Sequence, residues 1–103
     1  MNGAERNSGA DGKRRIQAVA QIMNKRGLHA RASAKLVETV ARFNCEVTVS
    51  KDGTSVSGRS IMGLMMLGAG IGSTVALVAE GPEADAAMRA VVELIRARFL
   101  EDS

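Results

Sequence analysis

Apolar and polar residues alternate in several short stretches of the chain, a pattern typical of strands with one face in the core and the other in water. Four strands are predicted, over residues 16–23, 45–50, 54–57 and 74–80. The second and third are separated by Lys51-Asp52-Gly53, a turn sequence that indicates a hairpin. The inward positions of the first two strands are Ile16, Ala18, Ala20, Ile22, Cys45, Val47 and Val49.

Apolar residues recur at helical spacing in three further segments. A first helix is predicted over residues 30–43, which contain no Gly or Pro, and a short second helix from the N-cap Ser60 to about Leu67. A last helix is predicted with Pro82 in its first turn, because the fixed φ of proline suits that position. The apolar stripes are Leu36, Val37, Val40 and Ala41 in the first helix, opposite the water-facing Lys35, Glu38 and Arg42, and Ala84, Met88, Val91, Val92, Ile95 and Phe99 in the last.

The order βαββαβα predicts an α+β fold, with a four-stranded, mainly antiparallel sheet that carries three helices on one face. The connections are too short for a doubly wound parallel sheet. Residues 1–14 show no periodicity and are predicted to form a disordered extension, which leaves a single domain over residues 15–103. Gly68, Gly70 and Gly72 lack the spacing of a phosphate-binding loop and are interpreted as a flexible turn.

Composition narrows the chemistry of this 103-residue chain. The single cysteine, Cys45, allows no internal disulfide, and one His with one Cys cannot supply an ordinary structural zinc site, so neither metal nor cofactor is expected. No apolar run approaches the roughly 18 residues of a membrane span, so the predicted location is the cytoplasm, without membrane insertion. A net charge of +3 is weak support for a nucleic-acid partner, and the predicted strands contain no aromatic residue on which bases could stack.

The only histidine lies in Gly27-Leu28-His29-Ala30-Arg31, between the first predicted strand and the first predicted helix, where its side chain is expected to be exposed. The free backbone N–H groups and the dipole of a helix N-terminus favour an anion such as phosphate. Arg31 adds a guanidinium that pairs well with phosphoryl oxygens. A histidine at a helix start is more often a polar cap or a surface residue, and a lone arginine is more often a solvated charge. Position by itself therefore leaves open both a phosphate site and an ordinary helix cap.

Two segments carry a resemblance to a known family. Residues 26–37, RGLHARASAKLV, resemble the active-site motif of the HPr family of phosphocarriers, and residues 57–67, SGRSIMGLMML, resemble that family's regulatory-serine segment. Their order and separation also match, and the resemblance extends over residues 15–100. It implies an open-faced β-sandwich, in agreement with the predicted order of elements.

The resemblance also implies a role for each matching residue. His29 would carry a phosphoryl group on Nδ1, Arg31 would stabilise that group, and Ser60 would be a phosphoserine site for an HPr kinase/phosphorylase. The donor would be enzyme I, charged from phosphoenolpyruvate, and the acceptor an EIIA-type protein of a sugar-transport or nitrogen-related branch. Such a monomeric carrier is a phosphoryl-transfer intermediate and not an independent enzyme. Many members have Pro where this chain has Ala32, a departure that is compatible with the nitrogen-type branch.

The second predicted helix has too few turns to bury every side of its apolar sequence. Ile61, Met62 and Met65 are predicted to form a partner-binding patch, and core packing is the alternative for the methionines. Two other function classes stay open beside a phosphocarrier. One is a regulatory HPr-like paralogue that acts by protein binding, against which the retention of His29 and Arg31 speaks. The other is a small ferredoxin-like module that binds a ligand or RNA, which the lack of aromatic residues in the strands disfavours.

Overall fold

The structure, a computed structural model, describes residues 14–101. The predicted disordered extension therefore lies outside the described residues, apart from Arg14, with which the first strand begins. The order βαββαβα is confirmed. The elements are β1 (Arg14–Gln21), α1 (Ala30–Ala41), β2 (Glu46–Lys51), β3 (Thr54–Ser57), α2 (Ile61–Met66), β4 (Thr74–Gly81), α3 (Ala84–Arg96) and a final 3-10 turn (Arg98–Leu100).

The four strands form one antiparallel sheet in the order β1-β4-β2-β3. β1 and β4 pair along their whole length. The pairing continues beyond the strands, because Ile22 N–H donates to Ser73 O at 2.8 Å and Ile22 O accepts from Gly72 N–H at 2.7 Å. The loop over residues 68–72 is thereby held beside the segment that leads from β1 to α1.

The predicted hairpin between β2 and β3 is confirmed. Lys51 pairs with Thr54, so that Asp52 and Gly53 form a two-residue turn. Both turn residues have positive φ, +51° and +84°, which is the backbone that this tight turn needs to match the twist of the strands.

The helices pack on one face of the sheet, and the core lies between them and the inward side chains of the strands. In β1, Ile16, Ala18 and Ala20 are half-buried, as the alternation predicts. Ile22 is fully buried, whereas Val19 on the open face of the sheet is 70% exposed. The largest fully buried apolar side chains are Phe99, Ile22, Leu36, Leu64, Leu77, Ile95, Val40, Val47, Val49, Val75 and Val91.

The long helices depart from their predicted bounds. α1 ends at Ala41, which is exposed because it lies in the last turn at the margin of the apolar stripe. α3 begins only at Ala84, so Pro82 precedes the helix instead of lying in its first turn. The delay is explained by hydrogen bonds that hold Glu83 outside the helix: its N–H donates to Asn44 O at 3.2 Å, and its Oε1 accepts from Asn44 N–H at 2.6 Å. Within residues 14–101, no helix has the length and apolar character needed to cross a bilayer.

Cys45 is buried, as its inward position in the alternation predicts, although β2 begins one residue later, at Glu46. Burial raises the pKa of its thiol, and the nearby Arg59 opposes this shift without reversing it. Because the thiolate is the reactive form of cysteine, a raised pKa and a buried position leave Cys45 as a packing residue.

Candidate functional site

His29 is the N-cap of α1, as predicted. Its backbone is extended, with φ −74° and ψ −178°, and its carbonyl accepts the first helical hydrogen bond from Ser33 N–H at 2.9 Å. The N–H groups of the first three helical residues precede that bond and point toward whatever lies before the helix. Ser33 also fixes the approach to the helix, because its buried Oγ donates to Leu28 O at 3.2 Å. His29 is therefore set where backbone donors and the helix dipole favour negative charge.

Gly27 allows the chain to pass very close to the loop of residues 68–72. Its φ is +68°, and a Cβ at this position would lie 2.4 Å from Ala69 O. The next residue, Leu28, is buried and its N–H donates to the same carbonyl at 2.9 Å. The glycine-containing loop is thus a turn, in agreement with its spacing, and it supports the backbone that leads into His29.

Gly27→Ala is expected to destabilise the protein more than Gly68→Ala. Both glycines have nearly the same left-handed φ, +68° and +67°, so both substitutions carry the cost of about 1–2 kcal/mol that an L side chain meets there. Only at Gly27 does the added Cβ also collide with backbone, which should cost about 1–3 kcal/mol more. Urea unfolding of the two variants measures the difference, and equal losses of stability would show that the close approach to Ala69 is relaxed at no cost.

The two ring nitrogens of His29 have different partners. Nδ1 accepts a hydrogen bond from the backbone N–H of Arg31 at 3.2 Å, and Nε2 lies 2.5 Å from Oε2 of Glu101. Because Nδ1 is an acceptor, the ring proton is assigned to Nε2, which donates it to the carboxylate. The side chain of His29 is only 17% exposed, so the expectation of an exposed ring is wrong. Its physical reason is the C-terminal segment, which places Glu101 against one edge of the ring.

A left-handed turn brings Glu101 to that position. Arg98, Phe99 and Leu100 have φ values of +55°, +54° and +62°, a conformation that costs roughly 1–2 kcal/mol per residue for side chains other than glycine. Phe99 offsets part of this cost, because its side chain is completely buried. Lys35 adds a hydrogen bond from Nζ to Phe99 O at 2.6 Å. Phe99 thus belongs to the core as predicted, but from this turn and not from α3, and Lys35 is half-buried instead of facing water.

Asn24 holds the other oxygen of Glu101. Its fully buried side chain donates from Nδ2 to Gly27 O at 2.8 Å and to Oε1 of Glu101 at 3.1 Å. Burial by itself raises the pKa of Glu101, but the hydrogen bonds from Asn24 and His29, with the charge of Lys35, outweigh it and leave that pKa below its ordinary value. Glu101 is therefore a carboxylate at neutral pH, fixed from two sides.

Arg31, Ala32 and Ser60, which the sequence also singled out, lie at helix starts. Arg31 is in the first turn of α1, with its backbone at Nδ1 of His29 and its side chain exposed. Ala32, one residue further, is fully buried. Ser60 is the N-cap of α2, as predicted, and its Oγ accepts from Gly63 N–H at 2.9 Å. Its proposed modification stays a prediction.

α2 exposes the patch predicted from its sequence. Met62 is 72% exposed, Met65 44% and Ile61 39%, whereas Leu64 is completely buried and anchors the helix. Core packing is therefore the wrong alternative for the two methionines. We call Ile61, Met62 and Met65 the methionine surface. It is continuous with the histidine site, because Met65 and His29 line the same shallow depression.

Sequence reasoning assigned no role to Asn24 or Glu101 and did not foresee the contact of Lys35. Glu101 and His29 are 72 positions apart, and no periodic pattern relates them. The only available signal was indirect: Phe99 in an apolar stripe indicates that the chain is anchored just before Glu101. Two further exposed apolar residues, Met66 at the end of α2 and Ile71 in the loop of residues 68–72, were not assigned to the predicted patch.

The fold and the site together define a small α+β protein that presents one histidine at a helix start beside an apolar surface. Residues 16–97 match the family described as "PTS HPr component phosphorylation site". Phosphocarrier protein HPr of Cupriavidus necator is 51% identical over 86 residues, which cover 84% of this chain and 97% of that protein. Phosphocarrier protein NPr of Shewanella violacea is 39% identical, over 86% of this chain and 98% of its own length.

A solved structure leads to the same class. HPr-C-His from Thermoanaerobacter tengcongensis aligns with a TM-score of 0.82 at 41% identity, covering 85% of this chain and 99% of that one. The chain belongs to the HPr family of phosphocarriers of the phosphotransferase system. The resemblance to the HPr family is thereby confirmed, as is the open-faced β-sandwich.

Proposed function

We propose that His29 accepts a phosphoryl group from enzyme I and passes it to an EIIA-type protein, with the chain acting as a monomeric carrier in the cytoplasm. Family membership supports the class of reaction. The observation that supports the residue is the position of Nδ1, which lies at the N-terminus of α1 with Arg31 N–H 3.2 Å away. A developing phosphoryl charge would meet backbone donors there instead of bare solvent.

The transfer needs few protein groups. The lone pair of Nδ1 forms the new bond to phosphorus, while the bond from phosphorus to the donor breaks and its electron pair stays on the donor. The hydrogen bond from Arg31 N–H to Nδ1 gives way in this step, and the same N–H can then donate to a phosphoryl oxygen. The exposed guanidinium of Arg31 lies on the same turn and is suited to pair with a second oxygen.

The experiment that tests this function follows label from radioactive phosphoenolpyruvate through enzyme I to the full chain. One acid-labile, base-stable phosphoryl group per chain is expected, as for a phosphohistidine. Acid-stable label would point to a hydroxyl ester, and the absence of label with an enzyme I active on another HPr would contradict the proposal. Adding sugar-type and nitrogen-type EIIA proteins to the labelled chain then tests the acceptor branch; the alanine at position 32 is compatible with the nitrogen type.

The methionine surface is the proposed contact for enzyme I and for the acceptor. A partner must come within bonding distance of His29, and the shallow depression shared with Met65 leads directly to the apolar side chains of α2. Methionine side chains adapt to different partner shapes, which suits a carrier that must bind a donor and an acceptor in turn.

Met62→Asp is expected to weaken binding to enzyme I by about 10-fold or more, corresponding to about 1.4 kcal/mol, with little loss of stability. The physical reason is that a carboxylate would be desolvated in an apolar contact, while Met62 itself is 72% exposed in the free protein. Val19→Asp is the matched control, because Val19 is 70% exposed on the open face of the sheet. Titration calorimetry measures both variants. Equal affinities for enzyme I would move the contact away from Met62.

A further inference from the structure

The carboxylate of Glu101 contacts the ring nitrogen of His29 that phosphoryl transfer does not use. Oε2 lies 2.5 Å from Nε2, while Nδ1 faces the helix start. We propose that Glu101 is a positioning residue, which accepts the hydrogen bond from Nε2–H and so keeps the ring in the tautomer whose Nδ1 lone pair can bond to phosphorus. The inference rests on the proposed role of His29 as carrier and adds a residue to that site.

The backbone before Glu101 is in a conformation of unfavourable free energy, so the contact between Glu101 and His29 is maintained at the expense of stability. Three consecutive residues other than glycine, Arg98, Phe99 and Leu100, have left-handed φ values. Such backbone persists only where surrounding contacts over-determine it, and it clusters at functional sites. Here those contacts are the complete burial of Phe99 and the hydrogen bond from Lys35 to its carbonyl. The backbone conformation that these contacts maintain places the carboxylate of Glu101 against His29.

The hydrogen bonding of Asn24 is a second, independent indication that the position of Glu101 is maintained at the expense of stability. Its Nδ2 donates to two acceptors, Gly27 O and Oε1 of Glu101, so the orientation of the amide is determined by its partners. In that orientation Oδ1 is buried and has no hydrogen-bond partner within the described part of the chain. An unpaired buried acceptor is unfavourable for folding. Holding Glu101 in place is therefore not an arrangement that stability alone would select.

The chemistry of the transfer explains what the carboxylate contributes. When the lone pair of Nδ1 forms the bond to phosphorus and the donor keeps the electrons of the broken bond, Nε2 retains its proton and the ring becomes a phosphorylated imidazolium. Glu101 then faces a ring with one more positive charge, so a hydrogen bond that was charged only on its carboxylate side becomes charged on both sides. The reverse change accompanies delivery to the acceptor. No proton has to enter or leave in either direction, so the same contact serves both transfers.

The single histidine makes the first test direct, because ring-nitrogen chemical shifts in an NMR spectrum report on His29 alone. The spectra are recorded at about pH 8.5, about two units above the ordinary pKa of histidine of about 6.5. The Nε2–H tautomer is expected to predominate in the wild-type chain, and Glu101→Ala is expected to give a mixture of both tautomers. Glu93→Ala, which removes an exposed glutamate of α3, should leave the wild-type spectrum. An unchanged tautomer population in Glu101→Ala overturns the proposal.

Kinetics supply the second test. In Glu101→Ala the single-turnover rate at saturating enzyme I should fall about 10- to 100-fold, the loss expected when a reacting group is no longer held in its productive geometry. The apparent KM should change little, because Glu101 contacts the Nε2 edge of the ring and is not part of the methionine surface. Glu101→Gln has the same shape but offers one acceptor oxygen to the two donors Asn24 Nδ2 and His29 Nε2, so it should recover only part of the tautomer preference and part of the rate. A slow Glu101→Ala with a wild-type tautomer population would also overturn the proposal.

Failure of the inference and failure of the proposed function give different results. If the wild-type chain takes no phosphoryl group, His29 is not a carrier and the proposed function fails. The NMR comparison of Glu101→Ala with Glu93→Ala still decides, in that case, whether Glu101 orients the ring. If the wild-type chain is phosphorylated and Glu101→Ala matches it in rate and tautomer, only the positioning role is lost.

Discussion

His29→Asn is expected to accept no phosphoryl group from enzyme I while it keeps the fold. Asparagine has no ring nitrogen on which a phosphoryl group could be carried, so the loss should be complete within the detection limit of the labelling assay. It is nevertheless among the best helix N-caps, and its side-chain oxygen can take over the hydrogen bond that Arg31 N–H now gives to Nδ1. The fold should therefore tolerate this variant.

His29→Ala is the companion variant that separates the cap from the carrier role. It also loses transfer, but it removes the N-cap acceptor, which should cost about 1 kcal/mol of stability relative to His29→Asn. Thermal unfolding followed by circular dichroism measures that difference. Acid-labile label on either variant would show that the carrier residue lies elsewhere in the chain.

Phosphorylation of Ser60 is expected to raise the apparent KM of enzyme I for the chain by about 10-fold or more, with a smaller change in the rate at saturation. The modification adds about −1.5 to −2 charges immediately before Ile61 and Met62. An apolar contact made there would have to desolvate that charge, and an acidic partner surface would be repelled. The fold should survive, because the N–H groups and the dipole at a helix start favour a negative group.

Two substitutions distinguish charge from capping at this position. Ser60→Ala loses the hydrogen bond from Gly63 N–H, which should cost about 1 kcal/mol of stability, but it adds no charge and should transfer nearly as the wild type does. Ser60→Asp carries part of the phosphoserine charge and should have a smaller effect than the modification. Transfer rates are measured across a range of enzyme I concentrations with unmodified and phosphorylated chain. Coinciding curves would leave Ser60 as a helix cap alone.

The strands and helices could be predicted because each depends mainly on residues that are close together in the sequence. The hairpin follows from Asp52-Gly53, whose residues tolerate positive φ, and the strands follow from a strict alternation along β1 and β2. Helix bounds were less accurate where a tertiary contact sets them. The start of α3 is delayed to Ala84 by hydrogen bonds between Glu83 and Asn44, which lie 39 positions apart.

The residues of the site likewise fall into two groups, those whose role depends on neighbouring sequence and those whose role depends on tertiary contacts. His29, Arg31 and Ser60 could be found from the sequence because each lies at a helix start, and a helix start can be recognised from the adjacent residues. The exposure of Met62 and Met65 was also foreseeable, because a helix of six residues with one buried leucine cannot cover its other sides.

The sequence by itself thus determined the order of the elements, the antiparallel open-faced sheet, the family and the histidine at the helix start. Only the tertiary structure decided the environment of that histidine. Glu101 contacts the histidine and Asn24, and Lys35 bonds the left-handed turn that precedes Glu101 near the far end of the described chain. Alternation and helical periodicity report which face of an element is buried, but they carry no information about which distant residues share a site. Contacts across 72 positions arise from packing, and packing is decided by the whole fold.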